Sequence, residues 1–340
     1  MEETGGQKMA RIWLNHWFSS AYNIINLIKE DEKDFYIIGS SGNCNSVVKS
    51  ACDEWYEEPV WNEQEYVDYC LDFCKKHKVD IFLPRTGMIQ ISERKKEFEE
   101  NGTQVMADDF DKIWTLNQKD KAYDLFKEKE IGTVPEYRIV TDSAGFQKAY
   151  EELTAHYTQL CFKFVQDEGA RSFRIIDNNR KGFEALLNYA GVRIPYEEAL
   201  NAFSQRETFP PVMVMPYMLG EEVSVDCLKT SQGVIMVPRI KSVGRVEKIA
   251  YDKEILDICA DFYKKAGLEH PCNIQFRYLD GIPYFLEVNT RMSGGIQMSC
   301  LASGINIPNI AVNKMLGNVK EWTNTQEEKL VSYVEAPVII

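Results

Sequence analysis

Three side chains that could bind a metal ion and a phosphate alternate along one segment of the chain. Glu287, Asn289 and Arg291 occupy every second position of the run YFLEVNTRMSGG. Because the side chains of a β-strand alternate between its faces, these three share one face and the apolar residues between them share the other. Carboxylate and amide oxygens suit Mg²⁺, and a guanidinium suits a phosphoryl group or a carboxylate. The alternative is a solvated strand face with a surface ion pair.

The preceding segment is a second strand that could share this site. NIQFRY leads through LDGIP into YFLEVN, which predicts a β-hairpin. A two-residue turn at Asp280-Gly281 would place Gln275 opposite Leu286. A five-residue loop would instead place it opposite Glu287, and Pro283 favours this wider loop because it cannot donate a hydrogen bond to the sheet. We therefore predict that Gln275 and Glu287 are cross-strand neighbours.

A lysine inside an apolar strand is another candidate. Lys163 stands in the run CFKFV, and the small-residue loop QDEGARS follows it. This pattern predicts a strand–loop–strand hairpin over residues 160–165 and 173–176. Its ammonium group could point at phosphates while the N–H groups of the loop close over them. The alternative is an edge-strand lysine whose ammonium group reaches water.

The segment MVMPYMLGEE, residues 213–222, is a further candidate. An apolar strand leaves its backbone edge unpaired at Pro216, and a glycine turn and acidic residues follow. Such a segment could hold an adenine through backbone hydrogen bonds and a ribose through a carboxylate. The alternative is a core strand followed by an acidic turn.

The elements that position these segments form two patterns. Residues 9–110 alternate strands and helices, as in one small parallel α/β domain. From Lys112 the pattern is α+β with antiparallel sheets, including strands at 212–218, 222–229 and 233–240. The sequence contains neither G-x-G-x-x-G nor G-x-x-x-x-G-K-[ST], so hydride transfer and P-loop chemistry lose most of their support.

The chain resembles the ATP-grasp superfamily, in particular ligases similar to the carbamoyl-phosphate synthase large subunit. The segments that carry the resemblance are, in chain order, MPYMLGEEVSVD, NIQF and FLEVNTRMSGG. The resemblance covers roughly residues 9–316 and implies the fold class α/β plus α+β. The implied domains are a Rossmann-like pre-ATP-grasp domain at 9–110, an ATP-grasp domain at 111–320 and a C-terminal tail at 321–340. Within the ATP-grasp domain, a small lid subdomain would span about 130–215 and a catalytic subdomain about 216–320. In this family the two ATP-grasp subdomains hold ATP between them.

The resemblance also implies the site residues and their roles. The implied nucleotide-binding residues are Lys121, Lys163, Gly169, Arg171, Ser172, Met215, Tyr217, Met218, Glu222 and Gln275. Glu168–Phe173 would be the phosphate flap, Met215–Met218 the adenine hinge, and Glu222 the ribose contact. The implied ligands of Mg²⁺, with Mn²⁺ as an alternative ion, are Gln275, Glu287 and Asn289. Lys163 and Arg291 would be catalytic, with Arg291 stabilising the transferred phosphoryl group or the substrate carboxylate.

The function implied is an ATP- and Mg²⁺-dependent carboxylate–amine ligase that acts through an acyl phosphate. Its substrates would be a small-molecule carboxylate and an amine, such as amino acids or a peptide. One alternative is a nucleotide-binding module without turnover, which the single flap glycine, Gly169, and Met215, at a position where relatives often carry glutamate, favour. Another is a phosphotransferase that stops at the acyl or carbamoyl phosphate.

Charge and composition restrict the partners. With 39 basic and 52 acidic residues the net charge is −13, which argues against nucleic acid and anionic membranes as partners. The polar start MEETGGQKMARIW predicts a cytoplasmic protein, and the 9 scattered cysteines predict reduced thiols. A homodimer is the default assembly. Arg239 and Lys241, at the end of a strand, are further candidate contacts for an anion, and Arg85, at the end of another strand, is a candidate contact for a carboxylate.

Overall fold

The computed structural model describes residues 9–16, 18–30, 32, 34–58, 60, 62–166, 171–180, 191–242 and 245–340. The contacts between its residues divide the chain into two compact units. Unit 1 comprises residues 1–116, 222–275 and 288–340, and unit 2 comprises 117–221 and 276–287. The predicted domain boundaries stay predictions.

The amino-terminal part of unit 1 is a parallel sheet covered by helices, as predicted. Its strands are β1 (Ala10–Leu14), β2 (Phe35–Ser41), β3 (Glu54–Glu57), β4 (Ile81–Leu83) and β5 (Gln104–Val105), in the spatial order β3-β2-β1-β4-β5. Its helices are α1 (Ala21–Lys29), a short 3-10 helix (Val47–Ala51), α2 (Glu63–His77), α3 (Met88–Glu93), α4 (Lys95–Glu100) and α5 (Phe110–Asn117). Continuous apolar runs form β1 and β4 because both faces of these central strands are buried.

The rest of unit 1 is built on a second sheet. Its elements are β11 (Glu222–Thr230), β12 (Gly233–Lys241), β13 (Glu247–Ile249), α9 (Lys253–Ala266), β14 (Cys272–Leu279), β15 (Ile282–Asn289), α10 (Ile296–Ser303), α11 (Ile307–Met315) and β16 (Lys329–Val331). The strand order is β15-β14-β11-β12-β13-β16, and the division between the units falls within β14 and β15. β11 and β12 pair antiparallel along their whole length, as predicted.

Unit 2 carries a third sheet. Its elements are α6 (Lys119–Glu128), β6 (Arg138–Val140), α7 (Ser143–Thr154), β7 (Leu160–Phe164), β8 (Arg174–Ile176), β9 (Arg193–Ile194), α8 (Tyr196–Phe203) and β10 (Val212–Pro216). The order is β6-β10-β7-β8-β9, and Phe146, Leu153, Phe162 and Val214 form part of its core. The predicted hairpin around the QDEGARS loop is confirmed, because β7 and β8 pair antiparallel.

The β14–β15 turn differs from the prediction. β14 ends at Leu279 and β15 begins at Ile282, and the two residues between them, Asp280 and Gly281, have φ angles of 52° and 80°. Two residues at positive φ form the type I′ turn that Asp-Gly favours, so the predicted five-residue loop is wrong. Pro283 is tolerated because β15 lies at the edge of its sheet.

The burial pattern of β15 beyond this turn is irregular. Phe285 and Val288 of β15 are buried, while Leu286 and Glu287 between them are partly exposed, so the simple alternation of faces breaks there. An unbroken two-residue hairpin would place Gln275 opposite Leu286. The pairing of Gln275 with Glu287 therefore stays a prediction.

The thiols agree with the expectation of a reduced protein. All nine cysteines lie among the described residues, and each is a free thiol. Within the described ranges, no helix combines the length and apolar character that a bilayer-spanning segment needs. The cytoplasmic location and the homodimer stay predictions.

Candidate active site

Lys163 lies on an interior strand of the sheet in unit 2. β7 is flanked by β10 and β8, with Lys163 opposite Met213 of β10, so the edge-strand alternative is wrong. The side chain is buried, at 8% exposure, and Nζ lies 3.5 Å from the carbonyl oxygen of Leu286. A buried ammonium group is costly unless polar or charged partners surround it. The fold therefore holds this lysine against β15, immediately before Glu287.

A second buried lysine, missed at the sequence level, reaches the same strand. Lys119, at the start of α6, is 6% exposed, and its Nζ lies 3.8 Å from Oε2 of Glu287. The predicted phosphate contact, Lys121, has a side chain that is 46% exposed and pairs with Asp120 at 3.9 Å. Lys119 is thus the lysine of this helix that lies beside Glu287.

The helical pattern contains a signal for Lys119. The buried residues of α6 are Lys119, Ala122, Tyr123 and Phe126, which is the spacing of one helix face. Lys121 lies off this face. Extending the apolar stripe backwards from Phe126 would have selected Lys119.

Tyr123 contacts the segment of β15 around Leu286. Its hydroxyl donates a hydrogen bond to the Leu286 carbonyl at 3.2 Å, and Phe126 stacks on Phe285 with ring centroids 3.7 Å apart. Burial, followed by the nearby charge of Glu287, raises the pKa of Tyr123 well above its usual value. The phenol therefore stays protonated and acts as a donor to the backbone that carries Glu287.

The predicted adenine hinge follows β10. Met215 and Met218 are buried, and the N–H of Tyr217 donates to the carbonyl of Gln159 at 2.9 Å. The carbonyl of Pro216 lies 3.7 Å from Sγ of Cys161. The amide of Tyr217 thus already donates a hydrogen bond within the protein. The nucleotide contacts at Met215, Tyr217 and Met218 stay predictions.

Arg277 is a further residue that sequence reasoning missed. Its Nη2 donates to the Tyr217 hydroxyl at 3.1 Å, and its guanidinium carbon lies 4.8 Å from the centroid of that ring. The ring of Phe173 also packs near the ring of Tyr217, with the two centroids 6.3 Å apart. The signal was the alternation of Asn273, Gln275 and Arg277 along β14, of which only Gln275 was selected.

The flap is described in part. Gly169 and Glu168 lie outside the described residues. Oγ of Ser172 accepts a hydrogen bond from the Phe164 amide at 2.9 Å, and the carbonyl of Arg171 accepts one from Nη1 of Arg174 at 3.0 Å. The assignment of Arg171 and Ser172 to phosphate binding stays a prediction.

The remaining candidates lie in unit 1. Nη2 of Arg291 donates to Oδ1 of Asn289 at 3.1 Å, and Nε2 of Gln275 donates to Oδ1 of Asn273 at 3.1 Å. The two predicted amide ligands thus make their own hydrogen bonds, and a cation at Asn289 would share its oxygen with Arg291. Glu222, the predicted ribose contact, forms an ion pair with Lys241.

Arg239 is a structural residue in this fold, contrary to its suggested role as an anion contact. It is 2% exposed, and it donates to Oδ2 of Asp226 at 3.1 Å and to Oγ of Ser293 at 3.0 Å. It also pairs with Glu247. Two carboxylates therefore neutralise this guanidinium, and its bond to Ser293 fixes the loop that follows β15.

We expect Gly295→Ala to destabilise the protein through Arg239. An added Cβ would lie 2.4 Å from Nη1 of Arg239, which three polar partners hold in place. Overpacking of this kind costs about 1–3 kcal/mol, which lowers the melting temperature by several degrees. Gly294→Ala is the matched control, because its nearest atom, Oγ of Ser20, would lie at an ordinary 3.4 Å. Equal melting temperatures for the two variants would contradict this prediction.

We also expect Lys119→Met to weaken nucleotide binding more than Lys121→Met. Lys119 is buried beside Glu287, whereas Lys121 is half exposed. Losing a charged contact to phosphate costs about 1.5–3 kcal/mol, or roughly 10- to 100-fold in affinity. The measurement is the rise in melting temperature with Mg²⁺ and a non-hydrolysable ATP analogue. The opposite ranking would return the phosphate contact to Lys121.

Comparison with known proteins supports the predicted family resemblance. A family model described as "ATP-grasp in the biosynthetic pathway with Ter operon" matches residues 208–337. The carboxyl-terminal part of the chain thus matches an ATP-grasp model. The predicted resemblance is confirmed by the carbamoyl phosphate synthase arginine-specific large chain of Geobacillus stearothermophilus, which is 23% identical over 329 residues. That match covers 92% of this chain and 29% of the relative. The chain thus spans less than a third of the length of this relative.

Solved structures confirm the ATP-grasp fold. The biotin carboxylase domain of the Hydrogenobacter thermophilus 2-oxoglutarate carboxylase, in complex with MgADP and bicarbonate, has a TM-score of 0.69 at 18% identity, covering 96% of this chain and 74% of that one. An ADP complex of purK, N5-carboxyaminoimidazole ribonucleotide synthetase, has a TM-score of 0.69 at 10% identity, covering 96% and 81%. An L-amino acid ligase of Bacillus licheniformis has a TM-score of 0.65 at 14% identity, covering 91% and 75%. The predicted fold class, α/β plus α+β, is therefore correct.

Proposed function

We propose that this ATP-grasp protein is an ATP- and Mg²⁺-dependent carboxylate–amine ligase that acts on a small metabolite such as an amino acid or a peptide. The observation that carries the proposal is the meeting of two buried lysines, Lys119 and Lys163, with β15 at Glu287 and Leu286. The names of the relatives, which include a synthase, a synthetase and a ligase, support the same class of reaction.

The chemistry of this group of side chains fits a magnesium–nucleotide complex. Two buried ammonium groups match the negative charge of phosphates, and the carboxylate of Glu287 matches a divalent cation. Among the described residues no three or more His, Cys, Asp or Glu gather as a metal cluster. A site with one carboxylate and additional amide oxygens, from Asn289 and Gln275, is what Mg²⁺ uses when phosphates complete its shell.

The reaction requires activation of the carboxylate. A carboxylate is a poor electrophile at neutral pH, so one of its oxygens attacks the γ-phosphorus of ATP, and the bond to the β-phosphate oxygen breaks to release ADP. The amine then attacks the carbonyl carbon of the acyl phosphate, and inorganic phosphate leaves as the amine nitrogen loses a proton. The sum is one amide and one ADP per ATP.

The side chains of the protein supply charge in this scheme and no nucleophile. Bound Mg²⁺ would neutralise the developing charge on the phosphates. Lys163 and Lys119 hold phosphate oxygens, and Arg291 stabilises the transferred group or the substrate carboxylate. Met215–Met218 hold the adenine, Glu222 holds the ribose, and Arg171 and Ser172 belong to the loop over the phosphates. Exclusion of water during the reaction protects the acyl phosphate from hydrolysis.

The test is ADP and phosphate release with Mg-ATP against a pooled panel of amino acids and dipeptides, with mass spectrometry of the products. A product lighter than its two substrates by one water, formed with one ADP, supports the ligase. ADP release that needs only the carboxylate points to the phosphotransferase. A rise in melting temperature with Mg-ATP and no turnover with any panel member points to the binding module.

A further inference from the structure

A series of hydrogen-bonded polar side chains crosses the second sheet of unit 1 and ends at Gln275, a predicted ligand of Mg²⁺. Its members are Arg239 on β12, Asp226 on β11, and Asn273 and Gln275 on β14. β11 lies between β12 and β14, so the series spans three neighbouring strands. Asp226, Arg239 and Asn273 are 1%, 2% and 0% exposed. Because buried polar groups need hydrogen-bond partners, each member constrains how the next can be oriented.

Asp226 sets the direction of the series. Its Oδ2 accepts hydrogen bonds from Nε of Arg239 at 3.1 Å and from Oγ of Ser299 at 2.6 Å, and its Oδ1 accepts one from Nδ2 of Asn273 at 2.8 Å. A carboxylate paired with a guanidinium accepts hydrogen bonds and donates none. The NH₂ group of Asn273 must therefore face Asp226, and its amide oxygen must face the other way.

Asn273 passes this direction on to Gln275. Its Oδ1 accepts hydrogen bonds from Oγ of Ser224 at 3.1 Å and from Nε2 of Gln275 at 3.1 Å. An amide oxygen cannot donate, so a reversed Gln275 would place two oxygens against each other. The NH₂ group of Gln275 is thus held against Asn273. Its Oε1, on the other side of the same carbon, points away from Asn273.

We propose that Asp226 and Asn273 are positioning residues for the metal site, because they hold Gln275 with its amide oxygen towards Mg²⁺. Mg²⁺ takes oxygen ligands, and an NH₂ group in the same place would offer it none. Partners behind the ligands commonly fix ligand orientation in this way. The inference rests on the proposed function, which makes Gln275 a ligand. It adds roles for two residues that hold the ligand without binding the ion themselves.

Metal binding tests this without turnover. The protein is saturated with a non-hydrolysable ATP analogue and titrated with Mn²⁺, free Mn²⁺ is measured by electron paramagnetic resonance, and competition gives the affinity for Mg²⁺. Asn273→Leu has a similar size and no hydrogen-bonding group, so Gln275 is free to turn. We expect this variant to bind Mn²⁺ about tenfold more weakly or worse, as for the loss of other such partners. An affinity equal to that of the wild type would overturn the proposal.

Gln275→Glu separates positioning from general damage to the fold. A carboxylate presents an oxygen in either orientation, so a glutamate does not need Asn273 to turn it. The double variant Gln275→Glu/Asn273→Leu should therefore bind Mn²⁺ about as well as Gln275→Glu alone. An equal loss of affinity from Asn273→Leu with glutamine and with glutamate at position 275 would indicate a purely structural role and contradict the proposal.

Ser299→Ala is the matched control. Ser299 donates to Oδ2 of Asp226, whereas Asn273 is held by Oδ1. This variant should melt at a lower temperature and keep the wild-type affinity for Mn²⁺. If Asn273→Leu fails to fold, Asp226→Asn carries the test, because it keeps the shape of the side chain. An amide at position 226 can donate as well as accept, so Gln275 is no longer held in one orientation and Mn²⁺ binding should weaken.

The titration also separates this proposal from the proposed function. If the wild type binds Mn²⁺ with the nucleotide analogue and the folded variants bind it equally well, the positioning role is wrong and the metal site stands. If the wild type binds no Mn²⁺ under these conditions, the metal site of the proposed function fails, and the positioning role fails with it.

Discussion

Replacing Glu287 by glutamine is expected to lower ATP-dependent turnover by at least about 100-fold. A neutral amide is a much weaker ligand for Mg²⁺ than a carboxylate, and electrostatic stabilisation supplies most of the catalysis of phosphoryl transfer. The measurement is ADP release at saturating Mg-ATP with the substrates found by the panel. Turnover within about tenfold of the wild type would remove Glu287 from the metal site.

This variant needs a control for stability. Glu287→Gln leaves the buried ammonium group of Lys119 beside an amide, where the wild type has a carboxylate at 3.8 Å. Removing one partner of a fully buried ion pair costs about 3–5 kcal/mol, and the cost here is smaller because Glu287 is partly exposed. The double variant Glu287→Gln/Lys119→Met removes both charges, so it should regain part of the lost melting temperature without regaining turnover. Glu152→Gln, at an exposed pair with Arg138 in the same unit, should leave turnover unchanged.

Lys163→Met is expected to remove most of the stabilisation by nucleotide. The side chain keeps a similar length, but the ammonium group that we assign to phosphate is lost, at about 1.5–3 kcal/mol or roughly 10- to 100-fold in affinity. Without nucleotide the variant should melt at the same or a higher temperature, because methionine has no charge to desolvate. The measurement compares melting temperatures with and without Mg²⁺ and a non-hydrolysable ATP analogue.

The control for Lys163 is a lysine of the same unit with a different environment. Lys148 on α7 has a side chain that is 78% exposed, and Lys148→Met should keep the full response to nucleotide. A response in Lys163→Met equal to that of Lys148→Met would place the nucleotide phosphates elsewhere. The same outcome in Lys119→Met would leave the two buried lysines with a structural role only.

Elements with strong local signals were predictable from the sequence. Helix α9 carries such signals at both ends, because Asp252 caps its first turn and Gly267, at a φ of 66°, ends it. The parallel sheet of the amino-terminal part followed from alternating apolar runs and helical patterns. Short strands such as β3, β13 and β16 were missed, because they carry too few residues for a periodic pattern and form only by pairing with a distant neighbour.

The sequence by itself determined the chemistry available to this protein: the Glu287, Asn289 and Arg291 series, the strand lysine Lys163, and their order along the chain. Tertiary structure decided which of several similar residues lie together. Lys119 and Lys121 are both helix lysines, and only the packing of α6 against β15 buries the first beside Glu287. In the same way, Arg239 is neutralised by Asp226, which lies opposite Val237 in the β11–β12 pairing. Charge and spacing do not distinguish these residues, because burial and pairing depend on strands and helices that are remote in sequence.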